Sequence, residues 1–138
     1  MMRNCVFLIL LLTVCSCKRA QKTLLKDADL TIQCIRKVDA DVPEQLNFMV
    51  RLFPEKDKLA DKKDLGVDMQ LHMDSCFYTI QDGAKNYPLQ VIPVANGVKN
   101  CFEYLLVFDN PAGGTEKYRT LTYHDKFINK KTYQLNFE

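Results

Sequence analysis

Leu30-Thr31-Ile32-Gln33-Cys34-Ile35 is the stretch on which the fold class turns. Leu30, Ile32 and Cys34 fall on one side of an extended chain, and Thr31, Gln33 and Ile35 on the other. A period of two is what a strand with one buried face requires. Downstream, Phe48, Val50 and Leu52 repeat the pattern until Pro54 stops it. Val67, Met69, Leu71 and Met73 then alternate with Asp68, Gln70, His72 and Asp74, which reads as the most regular half-buried strand of the chain. Further strands are expected over 76–80, 88–94, 101–108, 118–123 and 132–137. Asp82-Gly83, Ala95-Asn96-Gly97 and the Asn110-Pro111-Ala112-Gly113-Gly114 segment separate them as turns. Residues 55–65, mostly Lys and Asp around Leu59 and Ala60, read as a solvated connection or one short helix. The expected class is all-β: a two-sheet sandwich of about seven to eight strands with Greek-key connections, immunoglobulin-like in a loose sense, over residues 29–138.

The chain has 138 residues, enough for one domain with a hydrophobic core and too few for two of ordinary size. Its formal net charge is +2, with acids and bases mixed along the sequence. That distribution carries no electrostatic footprint for nucleic acid. Trp is absent, and the aromatics are Phe and Tyr.

The N-terminus follows a different logic. Arg3 supplies a positive charge, and 5–14 is apolar apart from Thr13. Such a run of about ten residues fits a signal-peptide core, whereas a spanning helix needs about twenty. Val14-Cys15-Ser16-Cys17 then resembles the bacterial lipobox. A small residue must fit beside the bond that is cut, and the thiol after it takes diacylglycerol as a thioether. Ser16 fits the small position; for the rival acceptor Cys15 that position is the bulkier Val14. The reading is a lipoprotein signal over 1–16, lipidation at Cys17, and a polar tether over 17–28 that is a helical turn or unstructured. Two or more acyl chains hold a protein on a membrane stably where one does not. Residue Lys18, not Asp, follows the cysteine, which by resemblance to enteric sorting favours the outer membrane. The lack of an acidic stretch after Cys17 favours a periplasm-facing anchor.

Processing leaves Cys34, Cys76 and Cys101 beside the lipidated Cys17. In an oxidising compartment three thiols allow one pair and one free thiol. Cys76 and Cys101 each open a strand and precede Phe, so this pair is the favoured disulfide. Cys34 with Cys101, or three buried thiols, are the alternatives.

Candidate chemistry is sparse. His72 with Asp74 supplies too few ligands for a metal site and reads as a solvated strand face, and His124-Asp125 reads as a turn and not as a catalytic dyad. Of the two serines, Ser16 leaves with the signal and Ser75 has no nucleophile elbow around it. Gly113-Gly114 lacks the Lys-Ser/Thr of a phosphate cradle. No catalytic residue, metal or cofactor is expected beyond the acyl lipid (palmitate or a similar chain), and the chain reads as a non-enzyme. Phe102, Tyr104 and Phe108, with Tyr118, Tyr123, Phe127 and Tyr133, read chiefly as core; an exposed subset would form a docking patch.

The lipobox VCSC together with MDSCFYTIQDG (73–83) and VANGVKNCFEYLLVFDN (94–110) resembles small Bacteroidetes outer-membrane lipoproteins, among them the TssQ family of type VI secretion systems. That resemblance implies a structural role: a membrane-anchored interaction subunit of an envelope-spanning complex, whose partners are the membrane and other subunits of the complex. Only the lipidated Cys17 carries over. The competing expectation is a periplasmic lipoprotein that binds a glycan or a cell-wall fragment, against which the absence of Trp counts.

Overall fold

The computed structural model describes residues 20–38, 41–111, 114 and 118–138. The expected signal over 1–16 and the expected lipidation site Cys17 lie outside the described residues. Eleven elements follow one another: β1 (Gln21–Lys26), β2 (Leu30–Val38), β3 (Gln45–Pro54), α1 (Lys56–Leu59), α2 (Leu65–Leu71), β4 (Phe77–Gln81), β5 (Ala84–Asn86), β6 (Gln90–Val94), β7 (Phe102–Asp109), β8 (Thr120–His124) and β9 (Thr132–Asn136). They build two antiparallel sheets, β1-β2-β3-β7-β6 and β5-β4-β8-β9. The all-β sandwich expected from the alternating runs is the fold observed, with nine strands among the described residues. Its strand order is its own: β1, β2 and β3 form a meander in one sheet, whereas an immunoglobulin domain passes to the opposite sheet after its second strand.

The core comes from the inward register of both sheets. Leu30, Ile32 and Cys34 of β2 lie opposite Pro54, Leu52 and Val50 of β3, and Leu46, Phe48 and Val50 lie opposite Phe108, Leu106 and Tyr104 of β7. Phe77, Leu121, Tyr123, Tyr133 and Leu135 meet them from the second sheet. Phe48 packs edge-on against Phe108 at 5.5 Å and contacts Phe137 at the same distance, while Phe77 stacks on Tyr123 at 5.0 Å. These aromatic side chains therefore fill the space between the sheets; Tyr104, Tyr118 and Tyr123 are among the largest fully buried residues, while Phe102 and Phe127 are half-buried and Tyr87 is exposed.

Three local expectations are corrected. The 67–73 alternation is not a strand: α2 spans Leu65–Leu71. Leu65, Met69 and Met73 are buried at a spacing of four, and Val67 and Leu71 are 54% and 62% exposed. A spacing of four places side chains on one helix face, so Leu65 and Met69 share the buried face of α2, and Met73 follows just past its end. His72 accordingly caps this helix and does not lie on a strand face. The tether is the second correction. Residues 21–26 are β1, with Thr23 and Leu25 half-buried and Lys22, Leu24 and Lys26 exposed. The strand is sealed to β2 by a turn in which the Asp27 carboxylate accepts the N–H groups of Asp29 and Leu30 at 2.8 and 3.0 Å. Third, Cys34, Cys76 and Cys101 are free thiols, so the Cys76–Cys101 disulfide is not formed. Cys76 is fully buried in the core. Cys101 shares the parity of Glu103, and both accept the Asn96 amide, at 3.3 and 2.7 Å. Other features follow the sequence reading: α1 is the short helix of the charged connection, and Asp82 and Gly83 adopt φ of 51° and 79°, the primed two-residue hairpin turn between β4 and β5.

The register defines two poles. At one lie the start of β1, the β2–β3 connection, the end of β7, the start of β8 and the C-terminus. Here the Arg36 guanidinium donates to the Tyr118 carbonyl at 2.7 Å and lies 5.0 Å from the Phe137 ring, and the Gln21 amide donates to the Glu138 carbonyl. At the other pole lie the β1–β2 turn, α1, α2 and the 125–131 loop. Lys58 of α1 pairs with Asp29 at 3.3 Å, Lys62 donates to the Ile128 carbonyl at 2.6 Å, and Tyr104 donates to the Met69 carbonyl at 2.5 Å.

Candidate functional site

Of the two His-Asp pairs singled out from sequence, His124-Asp125 has a structural occupation. Asp125 is fully buried. Its carboxylate accepts the backbone N–H groups of Ile128 (2.9 Å), Asn129 (2.5 Å) and Lys130 (2.7 Å), the longer Phe127 N–H, and the Tyr123 hydroxyl at 2.8 Å. One side chain thus satisfies the amides of a whole loop that has no ladder of its own. Burial, and then the charge of Asp125, push the Tyr123 phenol well up. His124 contacts the Thr132 hydroxyl at 2.9 Å beside it. His124-Asp125 is a loop anchor, and no proton-transfer pair is formed. His72 and Asp74 are exposed at the end of α2.

A second carboxylate cluster joins three segments of the same pole. Asp29 accepts from the Asn129 amide at 2.9 Å and pairs with Lys131 at 3.0 Å, while Asp27 accepts from Tyr133 at 2.9 Å. The Asn129 amide first, with Lys131 and Lys58, holds the Asp29 carboxyl down to about 2 from the ordinary 3.8. Because the folded value lies below the unfolded one, this contribution to stability is complete above about pH 4 and is lost as pH falls through about 2. The urea midpoint measured across that acid range should therefore fall, and it should fall less steeply in Asp29→Asn.

Burial pushes the Cys34 thiol far up and the Cys76 thiol up to about 11, so neither is a thiolate at neutral pH. Among the described residues no three His, Cys, Asp or Glu side chains are grouped as a metal would require. No helix among them is long and apolar enough to cross a membrane.

The feature with capacity for interaction is the outer face of the five-stranded sheet. The register sets Lys22, Ile35, Met49, Leu105 and Ile92 in one row across all five strands. Ile35, Met49 and Leu105 are half-buried, with Ile92 40% and the neighbouring Leu24 66% exposed. The row beside it runs Leu24, Gln33, Arg51, Glu103 and Val94, in which Arg51 pairs with Glu103 at 3.2 Å. A shallow depression opens between Lys22, Leu24, Gln33, Ile35, Met49 and Arg51. Lys22, Lys26 and Lys37 rim this face. An antiparallel sheet with a solvated face ordinarily carries polar residues there. A row of Ile, Met, Leu and Ile is the kind of continuous apolar surface that marks a contact site.

Sequence reasoning placed the interaction potential in the aromatics and missed this face. The available signal was Phe48-Met49-Val50 and Tyr104-Leu105-Leu106-Val107-Phe108, runs that leave a strand apolar on both sides. Comparison with protein-family models, with curated proteins and with solved structures finds no match.

Proposed function

We propose that this protein is a lipid-anchored interaction subunit of an envelope-spanning complex, a type VI secretion system by the resemblance of its sequence, facing the periplasm from the outer membrane. Cys17 is the acylated residue, and the sandwich presents the outer face of its five-stranded sheet to another subunit. The observation that carries this reading is the apolar row Ile35-Met49-Leu105-Ile92, bordered by lysines, across the outer face of the five-stranded sheet. The side chains most suited to chemistry are committed elsewhere: Asp125 to a loop, Asp27 and Asp29 to a turn, and two thiols to the core. Half-buried apolar side chains at the centre of a contact, with charged ones at its rim, match the anatomy of protein interfaces.

The test is affinity purification of the protein from cross-linked membranes at native expression, followed by mass spectrometry. Secretion-complex subunits should be recovered with the wild-type chain and lost with Cys17→Ala. Recovery of the protein alone from both strains would remove the reading.

A further inference from the structure

We propose that the pole carrying the start of β1 rests on the membrane surface, with α1 and α2 at the far end and the apolar sheet face standing beside the bilayer. This rests on acylation at Cys17. The occupant of the near pole is a lipid headgroup surface, and the length of chain before the sheet identifies it. Cys17 and Gln21 are four residues apart in sequence, a reach of at most about 14 Å even when fully extended. Gln21 is not free to move away from the domain. It is paired with Arg36 in the sheet, and its side-chain amide donates to the Glu138 carbonyl. Arg36 in turn is buried against the Tyr118 carbonyl and the Phe137 ring.

The end of the sandwich that holds these residues is therefore held within reach of the acyl chains. Glu44, Pro111, Arg119 and Glu138 are exposed at that end. The opposite pole is separated from it by the length of β2, nine residues, or about 30 Å at the usual strand rise. A flexible tether over 17–28 would have let the domain tumble; a strand that starts at Gln21 does not. The lysines of β1 and β2 raise the alternative that the domain lies on its outer sheet face. The apolar row on that face, kept clear of lipid, is then available to a protein partner at a fixed height above the bilayer.

The experiment uses acylated full-length protein reconstituted into vesicles of phosphatidylethanolamine and phosphatidylglycerol containing an acceptor-labelled lipid. A donor dye is placed on Glu44→Cys at the near pole, Lys63→Cys at the far pole or Gln33→Cys on the outer face, each in a Cys101→Ser background. Energy transfer to the lipid should be several-fold stronger from position 44 than from position 63. A Gly-Ser insertion of about twenty residues before Ala20 should erase that difference. Equal transfer from 44 and 63 with the strongest transfer from 33 would mean the sheet lies flat and would overturn the orientation alone. A chain whose intact mass shows no acyl group at Cys17 would overturn the anchoring reading and the orientation with it.

Discussion

Replacing Asp125 with alanine is expected to lower the unfolding free energy by about 4 kcal/mol. The carboxylate is fully buried and accepts the N–H groups of Phe127, Ile128, Asn129 and Lys130 together with the Tyr123 hydroxyl. Alanine leaves those donors buried without an acceptor, and each costs of the order of 1 kcal/mol or more when unpaired. The loop they belong to also presents Asn129 and Lys131 to Asp29, so the loss spreads to the β1–β2 turn. Asparagine keeps one acceptor oxygen and should recover about half of the loss. Urea denaturation followed by circular dichroism measures both. A typical domain has only about 5–15 kcal/mol in total, so the alanine variant should be partly unfolded near physiological temperature. If Asp125→Ala unfolds at the wild-type midpoint, the carboxylate does not organise the loop.

Met49→Glu is expected to abolish recovery of the partner while moving the unfolding midpoint little. Met49 lies at the centre of the outer face of the larger sheet, between Ile35 and Leu105, and is only half-buried. Its backbone stays in the β2–β3–β7 ladder whatever side chain it carries, and a partly exposed site tolerates substitution to within about 1 kcal/mol. A carboxylate there is harmless while solvated, but it must be desolvated if an apolar surface covers it. Phe48→Glu, one residue away, points into the core and should instead unfold the domain. The contrast between neighbouring positions separates loss of contact from loss of fold. Cross-linked purification gives the first readout and thermal denaturation the second. Wild-type partner recovery from the Met49→Glu strain would mean that this face is not used.

The strands were legible where alternation was clean and where a turn residue closed the run. Leu30-Ile32-Cys34 and Phe48-Val50-Leu52 face the core as their spacing requires. Asp82-Gly83 makes the hairpin that its left-handed conformations allow. Two segments misled for opposite reasons. In 67–73, apolar residues fall at every second position, but the helix buries Met69, one turn after Leu65, and leaves Val67 and Leu71 exposed. In 21–26, lysines mask the alternation because an edge strand buries one side only partly, so Gln21-Lys22-Thr23-Leu24-Leu25-Lys26 reads as polar tether. The apolar outer face was hidden because a row across five strands is set by register, and register is fixed by tertiary pairing. Ile35, Met49, Leu105 and Ile92 are far apart in sequence and become neighbours only once β2, β3, β7 and β6 are aligned. The role of Asp125 was out of reach for a similar reason: a His-Asp pair before a Lys gives no sign that the carboxylate turns back onto the amides that follow it.

The most direct measurement is photocross-linking in living cells, with a photoreactive amino acid at Met49 and, as the control, at Gln134 on the exposed face of the second sheet. A single predominant adduct from position 49, absent from position 134 and lost when Cys17 is replaced by Ala, is the predicted result. Adducts from position 134 alone, or an adduct from 49 that persists without the lipid anchor, would contradict a membrane-anchored subunit that docks through its five-stranded sheet.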